Sequence, residues 1–241
     1  MEKPTVVIFF PVYFDEATIR TVAMKSLKVL SDIASRYKVV IVDDGSPDKS
    51  GEIADELASE YPEIVSIHHK ENRGYGAALQ SGFKYAKDFD WICFTDGDDQ
   101  YDINELYHLS KLFHHYDMIV TFRYAKIYGT VRTFISYVYN YIIRKIFKSP
   151  FRDHSCALKA VRSGVINDIK LISTSPFIGA EIIIKTMVKG YPIGEVGIVT
   201  YPRRFGESSS TSMSNIIASI RDMLRVYKSI FKQGIEVESK D

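Results

Sequence analysis

The sequence predicts an α/β fold, with a Rossmann-like, mostly parallel central sheet flanked by helices in a single domain. Three observations carry this. Apolar runs rich in β-branched and aromatic residues recur at Thr5 to Val12, Val39 to Val42, Ile64 to His69, Trp91 to Thr95 and Met118 to Phe122, as in strands buried on both faces. Segments of helical spacing separate them, and four successive strand–helix repeats are the pattern of a doubly wound sheet. Polar residues follow the strands directly, at 11–15, 43–46 and 96–100, on the edge where sheets of this kind bind ligands.

The elements follow in order. Thr5 to Val12 forms the first strand, and Ala17 to Arg36, with Val22, Leu27, Leu30 and Ile33 in helical register, the first helix. Val39 to Val42 is the second strand, closed by Asp43, Asp44, Gly45 and Ser46. Asp48 or Ser50 caps a helix running towards Tyr61. After the third strand, Gly74 and Gly76 in NRGYGAA permit a tight turn and close backbone approach to a ligand where a helix starts. The segment lacks the third glycine of a dinucleotide fingerprint and follows the wrong strand for one. Trp91 to Thr95 is the fourth strand, Ile103 to Phe113 a helix and Met118 to Phe122 the fifth strand. Beyond Arg123, helices are expected at Val131 to Phe147 and Phe177 to Lys189, and strands at Ser155 to Val161 and Ile193 to Tyr201.

The last helix, Asn215 to Phe231, sets Ile216, Ile217, Ile220, Met223, Leu224, Tyr227 and Phe231 against Arg221, Arg225, Lys228 and Lys232. It and the Val131 helix either dock on the domain or lie on a membrane surface, and the Val131 helix has covering a substrate as a further use. The expected division is a catalytic domain over residues 1–214, then an amphipathic helix and tail over 215–241. The polar stretch Gly206 to Ser214 contains a serine run, Ser208 to Ser212, expected to close over a donor.

Composition narrows the classes. The chain has 241 residues, 46% hydrophobic and 25% charged, which excludes a disordered chain. Net charge is +1, yet residues 121–170 carry ten Lys/Arg against two Asp/Glu while the preceding segment is acidic. A phosphate-rich ligand or an anionic surface suits that contrast, and nucleic acid is not an expected partner. Two cysteines, Cys93 and Cys156, indicate neither a disulfide framework nor a cysteine-based zinc site. The amino terminus enters a strand with no signal peptide, and no apolar run reaches about 18 residues. A cytoplasmic chain is expected.

The chemistry centres on WICFTDGDDQYD, where Asp96, Gly97, Asp98, Asp99, Gln100 and Asp102 follow the fourth strand. Carboxylates crowded at one strand end require a cation or donors to neutralise them. In an extended conformation Asp96, Asp98 and Gln100 point to one side, a hard-oxygen set suited to Mg²⁺ or Mn²⁺ with substrate phosphate completing the shell. A solvated acidic turn is the plainer alternative.

PVYFDE, VDDGS, NRGYGAALQSGF, TDGDDQ, Asp153 six residues before Lys159, Glu181 and RRFGESS together resemble the family 2 glycosyltransferases with a GT-A fold. The nearest branch is the dolichyl-phosphate mannosyltransferase and polyprenyl-phosphate glycosyltransferase group, and the resemblance runs from Thr5 to about Ser210. It implies that Pro11, Tyr13 and Asp15 hold the nucleotide and that Asp43, with its neighbour Asp44, meets base or ribose. Asp96 and Asp98 become the Asp-x-Asp metal pair, Gly97 lies between them in the donor site, and Gln100 joins the metal shell. Arg123, Arg132 and Arg203 are implied around the donor and acceptor phosphates, where a guanidinium fork binds bidentately. The first motif usually reads Pro-x-Tyr-Asn-Glu, but here Phe14 and Asp15 take the last two places. The DHSCALK segment lacks the usual Gly-Phe, and the carboxy-terminal spans of many relatives are absent. Membrane attachment is therefore expected to be peripheral or through a partner.

The implied reaction is metal-dependent, inverting transfer from a UDP- or GDP-sugar to a dolichyl or undecaprenyl phosphate, whose oxygen needs no strong base. If the acceptor is instead a sugar hydroxyl, as in glycan synthesis, Glu181 or Asp153 must take a proton. A nucleotide-sugar binding module without turnover is a non-catalytic alternative. A nucleotidyltransferase would place a glycine-rich basic loop after the first strand, and PVYFDEATIR has no glycine.

Overall fold

The computed structural model describes residues 2–125, 129–203, 205 and 212–231. A seven-stranded sheet has the order β3-β2-β1-β4-β6-β5-β7, built from β1 (Thr5–Val12), β2 (Arg36–Asp43), β3 (Ile64–His68), β4 (Trp91–Phe94), β5 (Met118–Arg123), β6 (Lys159–Arg162) and β7 (Ile193–Ile198). All pairings are parallel except those of β6, which runs against β4 and β5. The expected α/β class and mostly parallel sheet are what the chain forms.

Strand alternation builds two cores. Val6, Ile8, Phe10 and Val12 face one side, with Ile41 and Cys93, against α1 (Ile19–Ile33), α2 (Ser50–Glu60) and α4 (Leu106–Ser110). Val7 and Phe9 face the other, with Val42 and Phe94, against α3 (Tyr75–Ala86), α6 (Ser163–Asp168) and α7 (Ile178–Val188). This period of two explains why the strand sequences read as unbroken apolar runs. Gly82 brings α3 onto the sheet, since a Cβ there would lie 2.4 Å from the Phe9 ring. A third cluster joins α5 (Thr130–Phe147), α7 and α8 (Met213–Phe231) through Ile143, Phe147, Phe177, Ile184, Val226 and Ile230.

The expected elements differ from the observed ones in four places. The Ile103 to Phe113 helix splits into a 3₁₀ turn, Ile103–Glu105, capped by the Asp102 carboxylate, followed by the short α4. Residues 155–158 are irregular rather than strand, because Asp153 and Tyr101 take backbone N–H groups there before β6 starts. The N-cap of α2 is Lys49, although Asp48 does accept the Ser50 N–H at 3.1 Å. Helix α6 has no counterpart in the sequence reading. The Ser208 to Thr211 part of the expected closing loop, Lys232 and the tail lie outside the described residues.

Candidate active site

Sheet order reverses at β1, which has β2 on one side and β4 on the other. Ligands bind beyond the carboxyl ends of strands at a reversal of this kind, and here both flanking loops carry carboxylates. After β1, Phe14 adopts φ 61°, and the chain folds back so that Asp15 accepts the Tyr13 N–H at 3.2 Å. A bulky residue held in the left-handed region is strained, and strain of this kind collects at functional loops. Tyr13 is part-exposed, whereas Pro11 is buried within β1 and paired with Val42.

After β4 the chain does not continue extended, because Asp99 takes φ 56° and turns its carboxylate to Lys25 at 2.7 Å. The simple alternation of Asp96, Asp98 and Gln100 therefore fails. Asp98 accepts the Gln100 N–H at 3.1 Å, and the Gln100 side-chain amide donates to the Tyr201 carbonyl at 3.2 Å. The Tyr75 hydroxyl lies beside Asp96, while the Asp96 Oδ1 is buried without a protein partner. Gly97 lies against Val12, its carbonyl accepting from the Thr18 hydroxyl at 2.7 Å.

One cation from far along the chain closes the cluster. Arg203 stands 3.1 Å from Asp15 and 3.4 Å from Asp98. It is delivered by an antiparallel bridge between Tyr101 and Thr200 and by the Tyr201 N–H donating to the Gln100 carbonyl. Burial, followed by the Asp96 charge, pushes Asp98 up to about 7 despite Arg203. Burial pushes Asp15 up to about 6, with the Tyr13 N–H and Arg203 opposing it, and it also raises Asp96.

Two buried carboxylates, Asp15 and Asp98, raised to about 6 and 7, beside the part-buried Asp96, itself raised and with one oxygen lacking a protein partner, fit a divalent cation that keeps waters and takes phosphate oxygens. Among the described residues no three His, Cys, Asp or Glu side chains form a complete cage. Asp96 and Asp98 would hold the ion, with Gln100 adjacent.

The remaining site residues divide into two groups. Asp43 accepts the Ser46 N–H at 2.9 Å and is braced by His68 at 3.1 Å. Asp44 holds the glycine turn itself, accepting from Arg73 N at 3.0 Å and Gly74 N at 2.8 Å while His69 pairs with it at 2.6 Å. Gly74, at φ 89°, is the N-cap of α3. Arg132 lies part-buried in the first turn of α5.

Arg123, at the end of β5, grips Asp153 bidentately at 2.8 and 3.0 Å, and Asp153 also accepts from the Ser155 N–H and hydroxyl. Its ion-pair partner is thus Arg123; neighbouring Arg152 turns to Glu195. Glu181 is fully buried in the first turn of α7, its two oxygens accepting Ile172 N and Ser173 N at 2.8 Å each, with Lys185 at 2.6 Å. Neither carboxylate has a free, solvent-facing oxygen.

Glu181→Gln is therefore expected to cost about 2–4 kcal/mol of stability, since one backbone donor loses its acceptor and the largely buried Lys185 ammonium, still held by the Lys170 carbonyl, loses its counter-charge. Turnover of the folded variant stays within about threefold of wild type. A base would show the reverse, a loss of about 10²-fold or more in kcat at unchanged melting temperature.

Several contributors escaped sequence reasoning. Tyr75 is one, although NRGYG was in view. Lys159 is another, with a buried ammonium on the Cys156 carbonyl, 5.7 Å over the Phe94 ring and within the field of Asp153 and Asp96. A lysine inside an apolar strand was the available signal. His154 is buried between Ser149 and Asn140, and burial followed by Lys159 pulls it down to about 4, so it is neutral and structural. A surface cleft of roughly 350 Å³ between Asp90, Asp117, Arg162 and Tyr191 lies at the opposite end of the strands, where Arg162 pairs with Asp117 at 3.0 Å.

Comparison with known proteins bears on the fold and the family. The undecaprenyl-phosphate 4-deoxy-4-formamido-L-arabinose transferase of Photorhabdus laumondii is 29% identical over 220 residues, 90% of this chain and 65% of its own. Glycosyltransferase AglD of Haloferax volcanii is 24% identical over 230 residues, 91% of this chain and 36% of its own. The chain thus spans less than two thirds of the length of these relatives. Glucosyl-3-phosphoglycerate synthase of Mycobacterium tuberculosis, in complex with Mn²⁺, UDP and phosphoglyceric acid, shares the fold at TM-score 0.68 and 19% identity, covering 94% of this chain and 78% of that one. The family model for glycosyl transferase family 2 matches residues 7–175, from β1 to the loop before α7, and the chain belongs to that family.

Proposed function

We propose that the protein is an inverting glycosyltransferase that uses a divalent cation, Mg²⁺ or Mn²⁺, to move a sugar from a UDP- or GDP-sugar to a polyprenyl phosphate such as undecaprenyl phosphate. The observation that carries the acceptor class is the engagement of both carboxylates available as bases. Glu181 is consumed by two backbone N–H groups and Asp153 by Arg123. An acceptor that arrives as an anion requires neither of them. Relatives named for undecaprenyl phosphate and a fold neighbour holding Mn²⁺ and UDP point the same way.

In this reading Asp43 meets the base or ribose, while Asp15, Tyr13 and the backbone at Gly97 border the diphosphate. The bound cation supplies Lewis-acid neutralisation of the leaving nucleoside diphosphate. Asp96 and Asp98 hold that charge in place, and Arg203, released from the two carboxylates, turns to phosphate oxygens. Arg123 and Arg132 orient the acceptor phosphate. Its anionic oxygen bonds to the anomeric carbon on the face opposite the leaving diphosphate as that C–O bond breaks, so no proton is removed. Purified protein, a panel of UDP- and GDP-sugars, Mn²⁺ or Mg²⁺ and a short polyprenyl phosphate test this. Cation-dependent transfer to the lipid phosphate is expected; transfer to a sugar hydroxyl alone would refute the acceptor.

The acceptor class also requires contact with a lipid surface. No helix among the described residues is long and apolar enough to cross a membrane. Helix α8 docks through Asp222, Val226 and Ile230 but exposes Met213, Ile217, Ile220, Leu224, Tyr227 and Phe231 at heptad spacing, and α5 exposes Val131, Phe134, Tyr137 and Tyr141. We assign these stripes, with Arg221, Arg225 and Lys228 beside them, to peripheral binding of an anionic bilayer. Replacing Ile217 and Leu224 together with serine is expected to weaken flotation with anionic phospholipid vesicles on the order of tenfold. Unchanged flotation would remove α8 from the contact.

A further inference from the structure

We propose that Asp222 of α8 is a positioning residue for the donor site, acting through residues 172–175 and the first turn of α3. What the site binds rests on the donor reading above. Four successive backbone N–H groups in this strap are taken by two buried carboxylates. Ile172 and Ser173 donate to Glu181, and Thr174 and Ser175 each donate to Asp222 Oδ2 at 3.0 Å. Carboxylates accepting paired backbone N–H groups make strong, directional contacts. Asp222 is the single acid between Met213 and Phe231 and is 3% exposed, on the inward side of a helix whose outward stripe is bare.

The carbonyl side of the strap holds α3. Thr174 O accepts the Gly76 N–H at 3.1 Å, and Ser173 O accepts the Gln80 side-chain amide at 2.8 Å. The approach is so close that a Cβ on Gly76 would lie 2.4 Å from the Thr174 carbonyl carbon. The turn is fixed from the other side by Asp44 on Gly74 N. Between these clamps sits Tyr75, whose hydroxyl lies in the field of the Asp96 carboxylate. Hydrogen bonds therefore run from α8 through Asp222 and Thr174 to Gly76, and the neighbouring Tyr75 carries the path on to the field of Asp96.

In Asp222→Asn the two strap N–H groups keep only a neutral amide oxygen in place of the carboxylate, so the Thr174 carbonyl is held less firmly. The first turn of α3 then shifts, and with it the Tyr75 hydroxyl beside Asp96. Outer contacts of this kind typically change cation affinity by about 10–100-fold. Occupancy of α8 and of the donor site are linked for the same reason.

The experiment uses the full chain as wild type, Asp222→Asn, Tyr75→Phe and the double variant. Amide hydrogen exchange is measured without ligand, and affinity for UDP and for GDP, each with Mn²⁺, by calorimetry. Asp222→Asn is expected to speed exchange at Gly76 and Ala77 on the order of tenfold while α1 amides stay unchanged. It also weakens nucleotide binding on the order of tenfold. Tyr75→Phe weakens binding comparably, and the double variant binds no worse than the weaker single one, because one route carries both effects. Asp222→Glu restores part of the loss. The proposal is overturned if exchange over 74–80 is unchanged in Asp222→Asn, if that variant melts lower but binds nucleotide like wild type, or if the two penalties add. If wild type binds neither nucleotide, the donor reading falls and exchange alone decides the linkage. Should Asp222→Asn not fold, Gly76→Ala disturbs the same contact from the α3 side and is read identically.

Discussion

Asp98→Ala is expected to lower sugar transfer on the order of 10³-fold while the protein remains folded. In the proposed mechanism the carboxylate holds the cation where the diphosphate leaves, and no neighbour is placed to substitute for it. The remaining acids are committed, Asp99 to Lys25 and Asp15 to the Tyr13 N–H and Arg203. Stability is expected to move the other way. Asp98 is raised to about 7 by burial and by Asp96, so the native state holds this proton more tightly than the unfolded chain does. Between about pH 4 and 7 the native form then binds more protons than the unfolded form, and the group's contribution to stability falls as pH rises. Asp15, raised to about 6, acts in the same direction, whereas neutral buried His154, lowered to about 4, acts against it. The readout is therefore the difference between wild-type and Asp98→Ala melting curves of cation-free protein from pH 5.5 to 8. The variant gains relative to wild type towards pH 8, and Mn²⁺ raises only the wild-type curve strongly. A difference independent of pH would show that Asp98 is not held near neutrality.

Arg123→Ala is expected to destabilise the protein by about 3–5 kcal/mol, because it leaves Asp153 buried without its cation. Both side chains are at most 5% exposed. For a chain of this size that corresponds to a fall of roughly 10–15 °C in Tm. Arg123→Lys recovers little, since an ammonium replaces a two-pronged contact with a point charge. The double variant Arg123→Met, Asp153→Leu separates the two roles of the arginine. Removing both charges together is expected to return most of the stability, whereas transfer to the lipid phosphate stays low because the acceptor phosphate has lost its guanidinium. If activity returns with stability, Arg123 serves only to hold the β5 end.

The local elements were written plainly in the chain. Continuous apolar runs marked β1, β2 and β4 because strands buried on both faces carry no polar alternation, and the acidic loops after them marked the edge that holds the site. Helices α1, α5 and α8 followed from their periodicity, although their ends shifted by a few residues. Asp96 and Asp98 were legible as a cluster because they follow β4 closely, and Asp15 as part of the polar edge after β1.

What the sequence by itself determined was the class of sheet, the edge that carries the carboxylates and the family. Tertiary structure decided which polar groups are free to act, because hydrogen-bond partners far apart in sequence cannot be read from spacing. Glu181 and Asp153 have the composition of bases, but packing gives their oxygens to the strap and to Arg123. Arg203 reaches Asp15 across 188 residues only because a bridge at Tyr101 and Thr200 brings its segment over β4. The antiparallel course of β6 was equally hidden, since a strand's direction depends on the path of the connection before it and not on its own residues.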